Sequence, residues 1–176
     1  MLTIKEQLLF IRRGGETQRF HSVLTVQDDT VGHHSFGVAW LLWLMTEGHA
    51  RPELLMAGLA HDLAEHQIGD IPAPTKRNLG TMRQQIHNAE AELLRTAGVE
   101  FALTAEEQRQ LKLADAMDGM IFCVRERTLG NLEIATVYGK FRSYAEEKLN
   151  QASTFLDSEL DLWATIHQLW NEVHHE

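Results

Sequence analysis

The 176-residue chain carries a formal net charge of −9, with 44% hydrophobic and 23% charged residues, a composition ordinary for a globular protein and long enough for one sizeable core. A pI near 5.5 argues against a nucleic-acid polymer as partner, because a phosphate backbone calls for a basic footprint; a small anion needs only a few cations in a pocket. The single cysteine, Cys123, excludes an intrachain disulfide and a cysteine-based zinc framework.

The opening stretch MLTIKEQLLFIRRGG is too short and too charged for a membrane span or a secretion signal. No apolar run reaches membrane length, so no membrane partner is expected and the expected location is the cytoplasm. Thr3 and Glu6 form a capping-box pattern that opens a first helix, with Ile4, Leu8, Leu9 and Ile11 expected on its buried side and Gly14-Gly15 ending it. Residues 16–31 have little helical period and read as a structured loop, and a loop of that length in a compact domain is often functional. A second, apolar helix follows over about residues 31–47. Pro52 starts a third, expected to run to about Gly69. The prolines and glycines of GDIPAPTKRNLG forbid regular helix. A fourth helix is expected over about residues 81–97, and a second capping-box pattern at Thr104 and Glu107 opens a fifth that reaches about Arg127. A sixth is expected over about 131–151 and a last over about 157–173. With no internal repeat or linker, the expectation is one all-α domain spanning residues 1–176, a bundle of six to seven helices.

The chemistry concentrates in LAHDLAEHQIGDIPAPTKRN, residues 59–78. His61 and Asp62 close the apolar run LLMAGLA, and Glu65 follows His61 at i+4, on the same helical face. One histidine and two carboxylates at the end of an apolar run are costly to bury unless something pairs them, and a divalent cation does so well. His33-His34 lies in the first turn of the second helix. Asp115 sits mid-helix in LKLADAM, where aspartate is a poor residue and calls for a partner. Lys112 at i−3 can serve as that partner, and Asp118 is a rival carboxylate on the same helix. His33, His66 and His87 are further imidazoles of the kind usually found in packing or on surfaces, and Arg77 and Arg83 can extend a cationic pocket. Trp40, Trp43, Trp163 and Trp170 read as core or interface residues.

Taken in order, His34, His61-Asp62 and Asp115 resemble the H…HD…D pattern of the HD-domain phosphohydrolase superfamily. HDLAE followed by GDIPAPTK is similar to the signature of its 5′-deoxynucleotidase branch, as are the pair Arg19-Phe20 and the segment KLAD at residues 112–115. Within the branch, the short chain is most similar to the bacteriophage dATP triphosphohydrolases of the DatZ type. The resemblance implies one divalent metal (Zn, Co or Mn) held by His34, His61, Asp62 and Asp115, with Glu65 and Asp70 handling protons. It implies phosphate binding by Arg19, Lys76 and Lys112, a sugar contact from Phe20, and base contacts from Ser22 and Pro74. Phe20 stands where these enzymes more often carry Trp, and Ser22 where adenine selection uses an apolar residue. The implied activity is removal of phosphates from dATP. Its alternatives are a broad-range 5′-deoxynucleotidase acting on monophosphates, and a catalytically silent nucleotide-sensing module. A homo-oligomer, dimer or hexamer, is expected from the many apolar helical faces.

Overall fold

The helical periods of the sequence fold into helices. In a computed structural model describing residues 2–71, 79–152 and 156–173, these are α1 (Ile4–Gly15), α2 (Val31–Met45), α3 (Pro52–Ala60), α4 (Glu65–Ile68), α5 (Met82–Thr96), α6 (Ala105–Thr128), α7 (Ala135–Asn150) and α8 (Asp157–Glu172). A 3-10 turn, Leu132–Ile134, precedes α7. There is no strand among the described residues; the loop before α2 is closed by an isolated antiparallel bridge between Gln18 and Thr30. Among the described residues no helix is long and apolar enough to cross a membrane.

The 24-residue helix α6 is the axis of the bundle. Its buried Leu113, Ala114, Met117, Met120 and Cys123 meet Val38, Leu41, Leu42 and Met45 of α2, Leu54 of α3, Tyr138 and Leu149 of α7, and Ile166 and Trp170 of α8. Trp170 stacks on Tyr138 with ring centroids 3.8 Å apart. A smaller cluster of Phe10, Ala60, Leu63 and Ala97 ties α1 to the turn after α3 and the end of α5. The long axis therefore carries Asp115 and Asp118 on a helix fixed from several sides.

Two expectations are corrected. The apolar residues of α1 do not face the core: Ile4 is 74% and Leu8 64% exposed, Leu9 and Ile11 are exposed as well, and only Phe10 and Gly14 are buried. Lying at the edge of the bundle, α1 meets its neighbours along the Phe10–Gly14 line, and a Cβ at Gly14 would lie 2.7 Å from the Leu63 carbonyl oxygen. Second, the third helix does not reach Gly69 but ends at Ala60, directly before the HD pair. Beyond it, the N–H groups of Leu63, Glu65 and Gln67 bond three residues back, to Ala60, Asp62 and Ala64, the tightened pattern of a 3-10 turn. The His61 ring itself occupies the Gly58 carbonyl at 2.9 Å, the acceptor a continuing helix would offer to Asp62. In α2, by contrast, both faces are apolar: Phe36, Trp40, Trp43 and Leu44 are exposed opposite the buried side.

Both capping boxes form. That of α6 is reinforced by Arg51, whose Nε and Nη2 donate to the two carboxylate oxygens of Glu107 at 2.6 and 2.9 Å. The Arg51 fork is the main reason the Glu107 carboxyl is held down to about 2. Glu107→Ala is expected to lower the melting temperature by about 3 °C, corresponding to ~1 kcal/mol for a lost cap partner and a partly screened ion pair. Because the folded-state pKa is depressed, this contribution is present above the ordinary value of 4.5 and disappears as pH falls toward 2. The difference in melting temperature between the two proteins should close over that interval.

Candidate active site

The site begins with the start of α2. Thr30 caps the helix, its Oγ1 accepting from the His33 N–H at 3.3 Å, and this places His34 at the end of the first turn, 1% exposed. The His34 Nδ1 lies 2.7 Å from Oδ2 of Asp118. A proton on Nδ1 donated to that carboxylate leaves the Nε2 lone pair outward. Nε2 faces Oδ1 of Asp115 at 3.1 Å and Oδ2 of Asp62 at 3.7 Å. His61, at the end of α3, is oriented in the same manner: its Nδ1–H donates to the Gly58 carbonyl, and its Nε2 stands 3.3 Å from Oδ2 of Asp62.

Both Nε2 atoms are buried and make no hydrogen bond among the described residues. Two orphaned imidazole nitrogens beside carboxylates are costly as bare polar groups and suited to a divalent ion. His34, His61 and Asp115 can each offer one ligand atom, all within 4.8 Å of one another, with Asp62 alongside. The electrostatics agree. Burial alone would lower the His34 pKa, and Arg19 acts the same way, but the adjoining carboxylates of Asp115 and Asp118 outweigh both and hold it up at about 9. Burial likewise opposes ionisation of Asp115, yet His34, His61 and Arg19 keep its carboxyl well below the usual range. The carboxylates thus call for a positive charge at the Nε2 side of His34, which a proton or a metal ion can supply.

Asp115 and Asp118 bracket the same imidazole, Asp115 on its Nε2 side and Asp118 behind it on Nδ1. Asp118 fits because Gly37 of α2 has no side chain: a Cβ there would lie 2.9 Å from the Asp118 Cγ and closer still to its oxygen.

The loop before α2 brings Arg19 to the same carboxylates. The Arg19 Nη1 donates to Oδ2 of Asp29 at 3.0 Å, with about a tenth of either side chain exposed. Burial disfavours its charge, but Asp62, Asp115, Asp29 and Asp118 together raise its pKa. Phe20 adopts φ 57°, the left-handed region that side chains rarely enter. Its ring stacks on Phe122 of α6 with centroids 4.3 Å apart and lies 5.1 Å from the Arg19 guanidinium carbon. Ser22 and Lys112 are exposed. Glu65 is 5% exposed and borders, with Asp70, His21, Arg13 and Gly69, a cavity of about 470 Å³. Asp70 stands 3.7 Å from Nδ1 of His21. Pro74, Lys76 and Arg77 lie outside the described residues. Among the other histidines, His66 is a packing residue: its Nδ1 bonds the Leu63 carbonyl at 2.7 Å and its ring meets Phe10 edge-on. His33 and His87 are exposed.

Reading the residues in order does not reveal Asp29 as partner of Arg19, Phe122 as the platform for Phe20, or the placement of Asp118 behind His34. The available signals were faint: Asp29 stands beside the Thr30 cap, and Asp118 follows Asp115 at i+3, one helical turn on.

The YfbR-like 5′-deoxynucleotidase family matches residues 8–161 of the chain. A 5′-deoxynucleotidase of Vibrio atlanticus (strain LGP32) is 26% identical, over 84% of this chain and 84% of its own length. Among solved structures, the cyanophage S-2L HD phosphohydrolase (DatZ), bound to dA and one catalytic Zn2+ ion, is similar with a TM-score of 0.72 across 98% of both chains, at 17% sequence identity. At that identity the likeness is one of fold.

Proposed function

The chain belongs to the YfbR-like 5′-deoxynucleotidase family, an HD phosphohydrolase of the 5′-deoxynucleotidase type, and from that premise we propose that it is a dATP triphosphohydrolase acting through a single HD domain. The observation that carries a metal-dependent reaction is the pair of buried, unbonded Nε2 atoms of His34 and His61 beside Asp115. In this reading His34, His61, Asp62 and Asp115 hold one divalent ion, Zn, Co or Mn. Such an ion supplies Lewis acidity toward a phosphoryl oxygen and toward the attacking water.

The chain's own groups do the rest. Arg19 spends one N–H on Asp29 and keeps the remainder of its fork for phosphate oxygens. Lys112, one turn before Asp115, and Lys76 add point charge. Glu65, buried beside the cavity, and Asp70 hold or move the proton of the attacking water. Phe20 presents a face to the sugar, and Ser22 and Pro74 border the base. The dA in the cyanophage enzyme, together with the shared fold, supports an adenine deoxynucleoside in this site. The 5′-deoxynucleotidase relative supports a second reading, in which deoxynucleoside monophosphates of several bases are the substrates. A homo-oligomer is part of the proposal, supported by the uncharged outer face of α2, where Phe36, Trp40, Trp43 and Leu44 are exposed on a chain of net charge −9.

The deciding measurement is a substrate panel on the metal-loaded protein, with each product identified. An aromatic face against C2′ leaves a ribose hydroxyl buried without a partner, which costs on the order of 1–3 kcal/mol, or roughly ten- to a hundredfold. The protein should therefore hydrolyse dATP well and ATP poorly, and Phe20→Ala should narrow that gap. Turnover of dAMP with dATP left intact would favour the monophosphate reading, and no turnover of any nucleotide would favour a silent module. Equal rates on ATP and dATP would remove Phe20 from the sugar contact.

A further inference from the structure

Three turns beyond Asp115 on α6, a carboxylate outside the metal cluster is fully enclosed. Glu126 is 0% exposed, and among the described residues its side chain accepts hydrogen bonds from the loop of Arg19 and Phe20 and from the residue that grips that loop. Its Oε2 accepts from the Val26 N–H at 2.7 Å and its Oε1 from the Gln27 N–H at 2.9 Å. The Asn131 Nδ2 donates both to Glu126 Oε2, at 2.8 Å, and to the Leu24 carbonyl, at 2.9 Å. Burial opposes its ionisation, but the bonds from Asn131, Val26 and Gln27 hold its pKa below the ordinary value, so the group is a charge at neutral pH. A buried charge is retained only where its hydrogen bonds are complete, and here two of the three donors are backbone groups of one loop.

The other end of the loop is closed independently, by the Gln18–Thr30 bridge and by the Arg19 and Val31 N–H groups on the carbonyls of Asp29 and Thr17. Phe20 sits between these fastenings in the left-handed region, its carbonyl accepting from the Val23 N–H at 2.9 Å and its ring on Phe122, one turn before Glu126. A side chain holds such a backbone conformation only where the surroundings over-determine it. The neck of the loop fixes Arg19; Phe122 and the Leu24–Gln27 anchorage fix Phe20.

We propose that Glu126 and Asn131 are positioning residues, a clamp that holds Phe20 in place and on which discrimination between deoxyribo- and ribonucleotides depends. The inference rests on the proposed contact of Phe20 with the sugar. Neither residue touches the substrate; both act through the backbone of Leu24, Val26 and Gln27. A merely structural role would change stability and leave the sugar preference alone.

The test uses the full chain loaded with Zn2+, and the deoxy/ribo pair it turns over faster, dATP with ATP or dAMP with AMP. Glu126→Gln keeps the volume but sets an amide NH2 against a backbone N–H. It should lower the deoxy-to-ribo ratio of kcat/KM by about tenfold, with metal stoichiometry unaltered and faster hydrogen exchange at the Val26 and Gln27 amides. Asn131→Ala, which frees the Leu24 carbonyl from a half-buried side chain, should move the ratio the same way by about threefold. If Glu126→Gln does not fold, Asn131→Ala decides alone. A ratio that stays at the level of the unaltered protein in the folded variants, while the loop amides exchange faster, overturns the clamp and leaves the sugar contact standing. An unaltered protein that shows no preference between the deoxy and ribo forms sinks the sugar contact itself, and the clamp's role in discrimination with it.

Discussion

Asp115→Asn keeps the fold and loses the metal. Asparagine preserves the volume of a side chain that is about a third exposed on α6, so the buried neighbours Leu113, Ala114, Ala116 and Met117 keep their packing. What disappears is the charge facing the His34 Nε2 at 3.1 Å. A neutral amide is a far poorer donor to a divalent ion than a carboxylate. Metal content measured on the purified protein should fall from about one ion per chain to near zero, and turnover should drop by about 10³-fold or more. Asp118→Asn is the control. An amide oxygen can still accept the Nδ1–H of His34, so metal affinity should weaken by about 10- to 100-fold, the usual scale for a group behind a ligand. The opposite pattern, with Asp115→Asn retaining the ion and Asp118→Asn losing it, would exchange the two roles.

Glu65→Gln separates chemistry from binding. The substitution is nearly isosteric at a position 5% exposed, and the short turn of α4 is set by the Glu65 N–H on the Asp62 carbonyl at 3.0 Å, which the change does not touch. Glutamine cannot take a proton from water. Turnover should slow by about 10²- to 10⁴-fold, while metal content and nucleotide affinity measured by calorimetry stay as they were. A rate close to that of the unaltered protein would transfer the proton-handling role to Asp70.

Local signals were legible in the residues where the physics is local. The boxes at Thr3–Glu6 and Thr104–Glu107 form because each needs only its own first turn. His34 on α2, His61 just past the end of α3 and Asp115 on α6 lie close enough together to offer ligand atoms to one ion. The buried side of α1 was not legible, because period identifies an apolar face without supplying a neighbour to cover it. Nor was the end of α3 at Ala60, where the ring of His61 takes the Gly58 carbonyl. The contacts of Asp118 with His34, Phe20 with Phe122, and Glu126 with Val26 and Gln27 span 84 residues or more of sequence, and no local pattern encodes such a contact. Pro74 and Lys76, read from the motif, lie outside the described residues.

Gly37 shows how far the site extends into residues that have no chemistry. A saturation scan of this gene for activity would mark position 37 as intolerant, alongside the histidines and aspartates, although its occupant has no side chain to donate, accept or coordinate. Even alanine would push the Asp118 carboxylate off the back of His34 and free the imidazole to choose the wrong tautomer. Helix propensity alone favours alanine there by about 1 kcal/mol. A stability-guided redesign of α2 would make that substitution early, and should return a protein whose hold on its ion is weakened through the displaced Asp118.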